Sequence, residues 1–481
     1  MAHMIINGRQ VELDGEKNVL SVIRKAGIDL PTLCYDPDLS PYGACRMCLV
    51  ENERGSMIAA CSEVPYDGLS VKTNTKKLMK HRKLMLELLL GSHCRDCLSC
   101  RRSEKCQLQE LAVRYGVDTI RFQYDKGPRI IDETGHIISV DRIKCVLCGN
   151  CIRTCAERQN VGALDFAKRG SHMYVSTAFD KPLGETGCTG CGQCSVSCPT
   201  GAITVKKETH KLWQAINDDA FKTVALVDPS IAATVGAEFG LPEGGDSAGK
   251  LVAALRRIGF DEVHCLCGAA DDARAAEISA FLERFDENGK LPWFTSWCPA
   301  WRQYVSDRHP DLQEYLSGSV SPVRVMGAAV KAGGAEAAAN LFITAIGPCT
   351  ALKHELAAGR GGQEIDLVLT ARELVLMIKE MGLAPGRLAP EAPDAIAGDW
   401  ENTADAADEK SLSEAVADAA GGRGVRAVTV YGLANAEEII GQIKAGDVRY
   451  DFIEVLACPR GCATGAGHPL ASVRQRMQSE T

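Results

Sequence analysis

No glycine-rich strand-to-helix turn of the G-x-G-x-x-G kind occurs in this 481-residue chain in the setting a dinucleotide site needs. Glycine pairs such as Gly333-Gly334, Gly361-Gly362 and Gly421-Gly422 lie in the wrong surroundings. A P-loop and a Ser-His-Asp arrangement are also missing, so the chain offers no evident nicotinamide, flavin or acyl-transfer site of its own. No apolar run reaches transmembrane length. Met1-Ala2-His3-Met4 leads into a polar hairpin rather than an apolar signal core. With 54 Lys and Arg against 62 Asp and Glu, net charge is −8, and no basic stripe stands out, which disfavours nucleic acid. The length is too great for a single core, so several domains are expected.

What is plentiful is cysteine, 22 residues. A disulfide framework suits a small secreted domain, not a chain of this size. The composition therefore points to a reduced, cytoplasmic, metal-binding protein.

The first 200 residues carry four groups. A hairpin centred on Asn7-Gly8 and a short helix over Val19–Ala26 precede Cys34, Cys45, Cys48 and Cys61. A zinc site also uses C-x2-C, but a hairpin and helix ahead of this spacing favour iron–sulfur chemistry. His93, Cys97, Cys100 and Cys106 follow as H-x3-C-x2-C-x5-C. Cys94 is an extra thiol; either it or His93 completes the set, and spacing favours His93. Cys145, Cys148, Cys151 and Cys155 form C-x2-C-x2-C-x3-C, and Cys188, Cys191, Cys194 and Cys198 repeat it before Pro199. In such paired runs the fourth cysteine serves the other cluster. The expected sets are Cys145, Cys148, Cys151 with Cys198, and Cys188, Cys191, Cys194 with Cys155. The Asn160–Thr177 insert reads as ordinary loop.

After Val205 cysteines thin out and apolar strands alternate with helices. Strands are expected over Thr223–Val227, Val263–Cys267, Leu341–Thr344, Ile365–Leu369, Val425–Val430 and Tyr450–Leu456. Helices over Ala371–Met381 and Ala434–Ala445, and a long polar connection from Gly382 to Gly424, complete an α/β pattern with mostly parallel sheet. Period-two spacing places Cys265 and Cys267 on one face of a strand, read as buried free thiols.

Three segments here carry a resemblance: Thr295-Ser296-Trp297-Cys298-Pro299, Gly347-Pro348-Cys349-Thr350, and Leu456-Ala457-Cys458-Pro459-Arg460-Gly461-Cys462. They resemble, in order, the signatures of the iron-only ([FeFe]) hydrogenase catalytic domain. The first four cysteine groups are similar to those of large members of that family and of the complex I large subunit. The resemblance implies a fold class of α+β and α/β multidomain. It would comprise a β-grasp [2Fe-2S] domain over 1–78, a histidine-ligated [4Fe-4S] domain over 79–135, a two-cluster ferredoxin domain over 136–208, and a two-lobed hydrogenase-like domain over 209–481. It also implies that Cys298, Cys349, Cys458 and Cys462 hold a cubane [4Fe-4S], beside which the family builds a diiron hydrogen-activating unit.

The chain departs from that family around the diiron unit. The proton-relaying cysteine is Trp297, whose indole N–H does not titrate. The lysine that contacts a cyanide ligand is Leu352, with Lys353 one position late. Family methionines are Gly347 and Leu456, and a glycine is Arg460 before Gly461. The triple glycine is Gly465-Ala466-Gly467. Of the proton path, Glu277 and Ser317 remain as possible remnants and Ala280 replaces a glutamate. Trp297 and Arg460 are expected to occupy diiron space, while Pro229-Ser230 resemble residues that contact cyanide. Only a dozen residues follow Pro469, and the family's helical belt is not expected here.

The resemblance thus implies the iron–sulfur subunit of an electron-bifurcating NAD(P)H/ferredoxin oxidoreductase, of transhydrogenase or formate dehydrogenase type. It would carry one [2Fe-2S], three [4Fe-4S] and the cubane [4Fe-4S], without the diiron subcluster. Expected partners are a flavin- and NAD-binding complex I-like subunit, a small thioredoxin-like [2Fe-2S] subunit and ferredoxin. A formate dehydrogenase or an NADP-flavoprotein is the further partner. The alternative readings are an atypical working hydrogenase and, from another class, a hydrogen or redox sensor.

Overall fold

The computed structural model describes residues 2–100, 102, 105–124, 126–241, 247–333, 340–360, 362–394 and 411–478. Its opening unit is a five-stranded sheet in the order Arg9–Glu12, His3–Ile6, Ser70–Lys72, Leu49–Asn52, Met57–Ala59. Asn7 and Gly8 both take positive φ, 51° and 84°, and turn the first hairpin. The helix Val19–Lys25 buries Val19, Leu20, Val22 and Ile23 against this sheet. Asn18 caps it by accepting from Ser21 N at 3.0 Å. A helix crossing a mixed sheet in this way is the β-grasp arrangement.

The next helix, Lys76–Gly91, starts from a Thr75 cap. It runs through the division expected at 78/79, so the break in secondary structure lies just before it. Arg82 projects from this helix into the sheet. It is buried and donates to the carbonyls of Met47 at 3.1 Å, Leu49 at 2.8 Å and Thr73 at 2.9 Å.

A three-stranded sheet follows in the order Ile203–Val205, Ile138–Asp141, Ile131–Asp132. Its last strand pairs across residues 135/136, where a division was also expected. The insert Asn160–Thr177 is not plain loop. Asp165–Ala167 and Tyr174–Ser176 pair antiparallel, with Phe166 opposite Val175. An inserted pair this short carries too few alternating residues for a strand signal.

The remainder holds two parallel sheets, one per lobe. The first orders Glu262–Cys265, Lys222–Val227, Leu341–Gly347 and Leu367–Thr370. Five successive residues of its inner strand Lys222–Val227 are buried, as in sheets covered on both faces. The second orders Trp293–Phe294, Phe452–Leu456 and Ala427–Tyr431. The expected strands and the helices Ala371–Glu380 and Leu433–Ala445 are present. One strand differs: it ends at Cys265, and Cys267 opens the helix Cys267–Asp286. The two cysteines therefore do not alternate along a strand. They are paired as a disulfide, with Cα atoms 5.3 Å apart, rather than free. Of the connection Gly382–Gly424, residues 395–410 lie outside the described residues, and the polar helix is Leu412–Ala419.

The R82M variant should weaken the first unit by about 3 kcal/mol, because three buried carbonyls each lose a donor worth about 1 kcal/mol. Hydrogen exchange across residues 47–73 measures this, and unchanged protection would count against it.

Candidate iron–sulfur centres

Every expected cysteine set sits where short elements end. Cys34, Cys45 and Cys48 lie in a loop and Cys61 follows the strand Met57–Ala59. Cys34 and Cys45 sulfurs are 3.4 Å apart. The Cys45 thiol and backbone N–H both donate to Cys34, holding it below its ordinary range; the Cys48 thiol, with Cys61's own backbone N–H, lowers Cys61. One thiol of each pair is thus shifted towards the thiolate, the form that binds metal.

His93 is sequestered, and desolvation lowers it to about 4. Its Nδ1 accepts from Arg95 N at 3.3 Å, while Nε2 is buried without a partner. With Nδ1 accepting, the neutral ring carries its proton on Nε2, and that unpartnered nitrogen would give up the proton to serve as a ligand. Cys97 opens a short 3-10 turn, Cys100 closes it, and Cys106 caps the helix Gln107–Arg114. Cys94 stands beside His93, with Sγ 3.9 Å from Nδ1, on the committed side of the ring.

The paired runs cross over as their spacing requires. Cys145, Cys148, Cys151 and Cys198 line one cavity. Cys155, Cys188, Cys191 and Cys194 line a second. Burial raises Cys145, Cys148, Cys151, Cys155 and Cys194, and pushes Cys188 to about 11 and Cys191 to about 12. Among the described residues, no three His, Cys, Asp or Glu side chains converge on a single-ion position. The thiols stand around volumes instead, which fits multi-iron groups.

Cys298 precedes the helix Pro299–Arg308, and Cys349 precedes Thr350–Ala357, with Leu352 N donating to its sulfur at 3.4 Å. Cys458 follows the strand Phe452–Leu456, and Cys462 lies in the 3-10 turn Gly461–Thr464. Burial is the largest effect raising Cys458 and Cys462, and both also sense Cys298 and Cys349, which lie close to them. Burial pushes Cys349 to about 12. Cys462 is accessible, yet burial is the largest effect raising its thiol; its sulfur faces an interior space rather than bulk solvent.

The sets are held against one another. Arg153 donates to the Cys34 carbonyl at 2.7 Å, and Lys126 to the Cys145 carbonyl at 2.6 Å. Gln159, just beyond Cys155, donates to the Ala457 carbonyl at 2.9 Å. Gln193, between Cys191 and Cys194, donates to the Thr464 carbonyl at 3.1 Å. Gly192, at φ 70°, lies so close to the catalytic-type lobe that a Cβ there would stand 2.6 Å from Thr350 Oγ1 and 2.8 Å from Ala466 Cβ. Cys155 and Cys191 share one apolar cluster with Cys298 and Cys349.

Around the last set, Trp297 packs on the Phe281–Trp293–Phe452 cluster, its Nε1 buried without a partner. Lys353 is buried and bound to Glu373 Oε1 at 2.6 Å and to the Lys206 carbonyl at 3.0 Å, away from the cysteines. Arg460 corrects an expectation. At φ 64° it adopts the left-handed conformation that a glycine would take without strain. Its guanidinium reaches the Arg476 carbonyl on the helix Leu470–Gln478. Glu277 accepts from Trp293 Nε1 at 2.7 Å, and Ser317 bonds Ser296 Oγ at 2.9 Å. Among the described residues no hydrogen bond joins Glu277 to Ser317.

Asp228 was missed. It follows the strand Lys222–Val227, its N–H donating to Ile346 O at 3.0 Å. Ser230 N and Oγ donate to its carboxyl at 3.0 and 2.6 Å. Burial raises that carboxyl, and its charge in turn raises Cys349 and Cys462. Ser230 is therefore engaged with Asp228. The available signal was an acid at a strand's carboxyl end directly before Pro229.

The family model described as iron only hydrogenase large subunit, C-terminal domain, matches residues 221–408 and 400–466. The NADP-reducing hydrogenase subunit HndD of Solidesulfovibrio fructosivorans is 32% identical, covering 98% of this chain and 89% of that protein. The chain belongs to the iron-only hydrogenase family. Iron hydrogenase 1 of Clostridium pasteurianum is 28% identical over the same shares, 98% and 89%. An NADH-quinone oxidoreductase subunit of Rhizobium meliloti is 34% identical over 42% of this chain and 24% of that protein. Ahead of the hydrogenase-type region come a 2Fe-2S iron-sulfur cluster binding domain at residues 1–76, an NADH-ubiquinone oxidoreductase-G iron-sulfur binding region at 82–121 and a 4Fe-4S binding domain at 185–204. This family member is an oxidoreductase iron–sulfur subunit, hydrogenase-like and related to subunits of larger complexes. No helix among the described residues is long and apolar enough to cross a membrane.

Substituting Gly192→Ala should cost about 2–4 kcal/mol in local stability, from backbone strain and overpacking together. Faster hydrogen exchange at 349–352 and 457–466 is the expected sign, and unaltered exchange would show that the close approach is not tight. A second expectation concerns pH. His354 is lowered to about 4 and His468 to about 3, both by burial. Their unfolded forms bind protons near pH 6.5, so their contribution is full above that value and is lost as pH falls towards 4 and 3. Thermal unfolding of metal-free protein at pH 7.5, 6 and 5 should reveal the loss. The H354Q/H468Q double variant should reduce it, leaving the share of His93, which burial also lowers to about 4.

Proposed function

We propose that this chain is a multi-cluster electron-transfer subunit of a flavin-based, electron-bifurcating NAD(P)H/ferredoxin oxidoreductase, in which the hydrogenase-type lobe has lost its diiron unit. In this reading Cys34, Cys45, Cys48 and Cys61 hold a [2Fe-2S] group, and His93, Cys97, Cys100 and Cys106 a [4Fe-4S] group. The two cavity-lining quartets hold two more, and Cys298, Cys349, Cys458 and Cys462 hold the cubane. Such groups supply one-electron storage at low potential. The protein orders them: Arg153 ties the first unit to the ferredoxin part, Lys126 ties the histidine unit to it, and Gln159, Gln193 and Gly192 press it onto the cubane loops. Two branches thus meet at the Cys145 quartet and continue towards Cys298.

The observation that carries the loss of hydrogen chemistry is the pairing of Lys353 with Glu373. Leu352 offers no cation, and the neighbouring lysine is committed to a buried pair whose rupture costs roughly 3–5 kcal/mol. Beside Cys349 and Cys462 stands the Asp228 carboxyl, and cyanide-bearing iron is itself negatively charged. Trp297 cannot relay a proton. The bulk of Arg460 does not contribute, since its side chain leaves the site.

Partners follow from the same reading. HndD is named as a subunit of an NADP-reducing hydrogenase, and the Rhizobium meliloti protein as a subunit of an NADH-quinone oxidoreductase. A flavin- and NAD-binding subunit, a small thioredoxin-like [2Fe-2S] subunit and ferredoxin would supply or take electrons. A formate dehydrogenase or NADP-flavoprotein would be the further terminus, and the assembly would work in the cytoplasm.

Infrared spectroscopy of protein produced with hydrogenase maturation enzymes decides the matter. Neither the parent chain nor its W297C variant should show iron-bound carbon monoxide or cyanide bands. Bands in the parent chain would place the atypical-hydrogenase reading ahead.

A further inference from the structure

One buried arginine and two half-buried ones lie where the histidine unit, the ferredoxin part and the carboxy-terminal helix meet. Arg102 is 3% exposed. Its backbone N–H donates to Cys100 Sγ at 3.4 Å, and its guanidinium donates to the Ser195 carbonyl, while Nη1 is buried without a partner. The stem of Arg102 lies over Gly201, three residues beyond Cys198, where a Cβ would collide with Arg102 Cγ. Arg474, from the helix Leu470–Gln478, donates to the Cys198 carbonyl at 3.3 Å. Arg372 donates to the Ala466 carbonyl and feels the charge of Arg102, which in turn feels that of Arg474.

Among the described residues no carboxylate forms an ion pair with any of the three. Glu373, beside Arg372, is taken by Lys353. Uncompensated buried cations of one sign are costly, so the fold requires negative charge nearby. Four-iron groups bound by thiolates are anionic. The thiolates that face Arg102 come from two different sets, Cys198 from one and Cys100 and Cys106 from the other.

We propose that Arg102, assisted by Arg474, is a potential-setting residue. Lying between the His93–Cys106 group and the Cys145–Cys198 group, it stabilises the added electron in both and makes this junction the preferred resting place of an electron on the chain. The inference rests on the cluster assignment above. Each reduction adds one electron from the donor to one four-iron group, and the extra negative charge is met by a fixed guanidinium rather than by a proton. Net charge and hydrogen bonds to the sulfurs are among the factors that set such potentials.

The test is a dithionite titration of the full chain, followed by electron paramagnetic resonance, for the parent and for R102Q, R102K and R474Q. In R102Q two four-iron signals should move to lower potential, each by at least tenfold in the reduction equilibrium, about 59 mV for one electron. R102K should recover most of the shift. R474Q should lower the Cys145–Cys198 group most, since Arg474 bonds the Cys198 carbonyl, and the His93–Cys106 group less. Signals of normal intensity with unmoved potentials in R102Q would overturn the proposal. If R102Q fails to assemble a group, R474Q decides: a lowered potential supports the role, and a parental one overturns it. Lack of four-iron signals in the parent chain would instead sink the cluster assignment, which separates the two failures.

Discussion

Close approach between the ferredoxin part and the hydrogenase-type lobes is the constraint on which the rest of the molecule depends. Gly192 leaves room for Thr350 and Ala466, and Gln159 and Gln193 commit their amide N–H groups to carbonyls beside Cys458 and Cys462. A side chain at 192 would wedge the two parts apart at the point where the second quartet nears the last one. The amides show how the interface is closed: buried carbonyls of the cysteine loops must find donors, and these two glutamines reach them from the opposite part. The two parallel sheets then serve to deliver four cysteines, from three separate strand ends, to the far side of that contact.

Burial runs through the whole set of sites with one sign. Desolvation raises Cys188, Cys191, Cys349 and Cys458 among others, so the metal-free protein holds those thiols as neutral groups. Metal groups enter by displacing protons from an interior that resists bare charge. The same interior accepts Arg102, Arg372 and Arg474, which would be poor tenants without anions to face. Thiols and guanidinium groups are thus two halves of one electrostatic arrangement, although they come from segments far apart in the chain.

The cysteine pattern made much of this legible in the sequence. C-x2-C-x2-C-x3-C spacing implied that Cys198 belongs with Cys145 and Cys155 with Cys188, and each grouping lines a cavity of its own. Buried strands such as Lys222–Val227 were visible as apolar runs. Other features depend on where a side chain turns, which spacing does not encode. Arg460 had the right size to fill a site, but its left-handed backbone sends it to Arg476. Cys265 and Cys267 looked like strand neighbours until the chain turned at Leu266 into a helix. Asp228 carried no motif of its own, since its meaning comes from Gly347 and Cys462, more than a hundred residues away.

Glu373 draws several of these threads together. It completes a capping box with Thr370, accepts from the backbone of Glu208 at 2.7 Å, and neutralises Lys353. One carboxylate therefore pins a helix start, the passage into the hydrogenase-type lobes and the lysine beside Cys349. The consequence concerns reversibility. A lysine restored at position 352 would re-enter a site whose neighbour already serves as a structural rivet, and freeing that neighbour would strand Glu373. On the proposed function, the path back to hydrogen chemistry would be barred by the architecture as well as by missing residues.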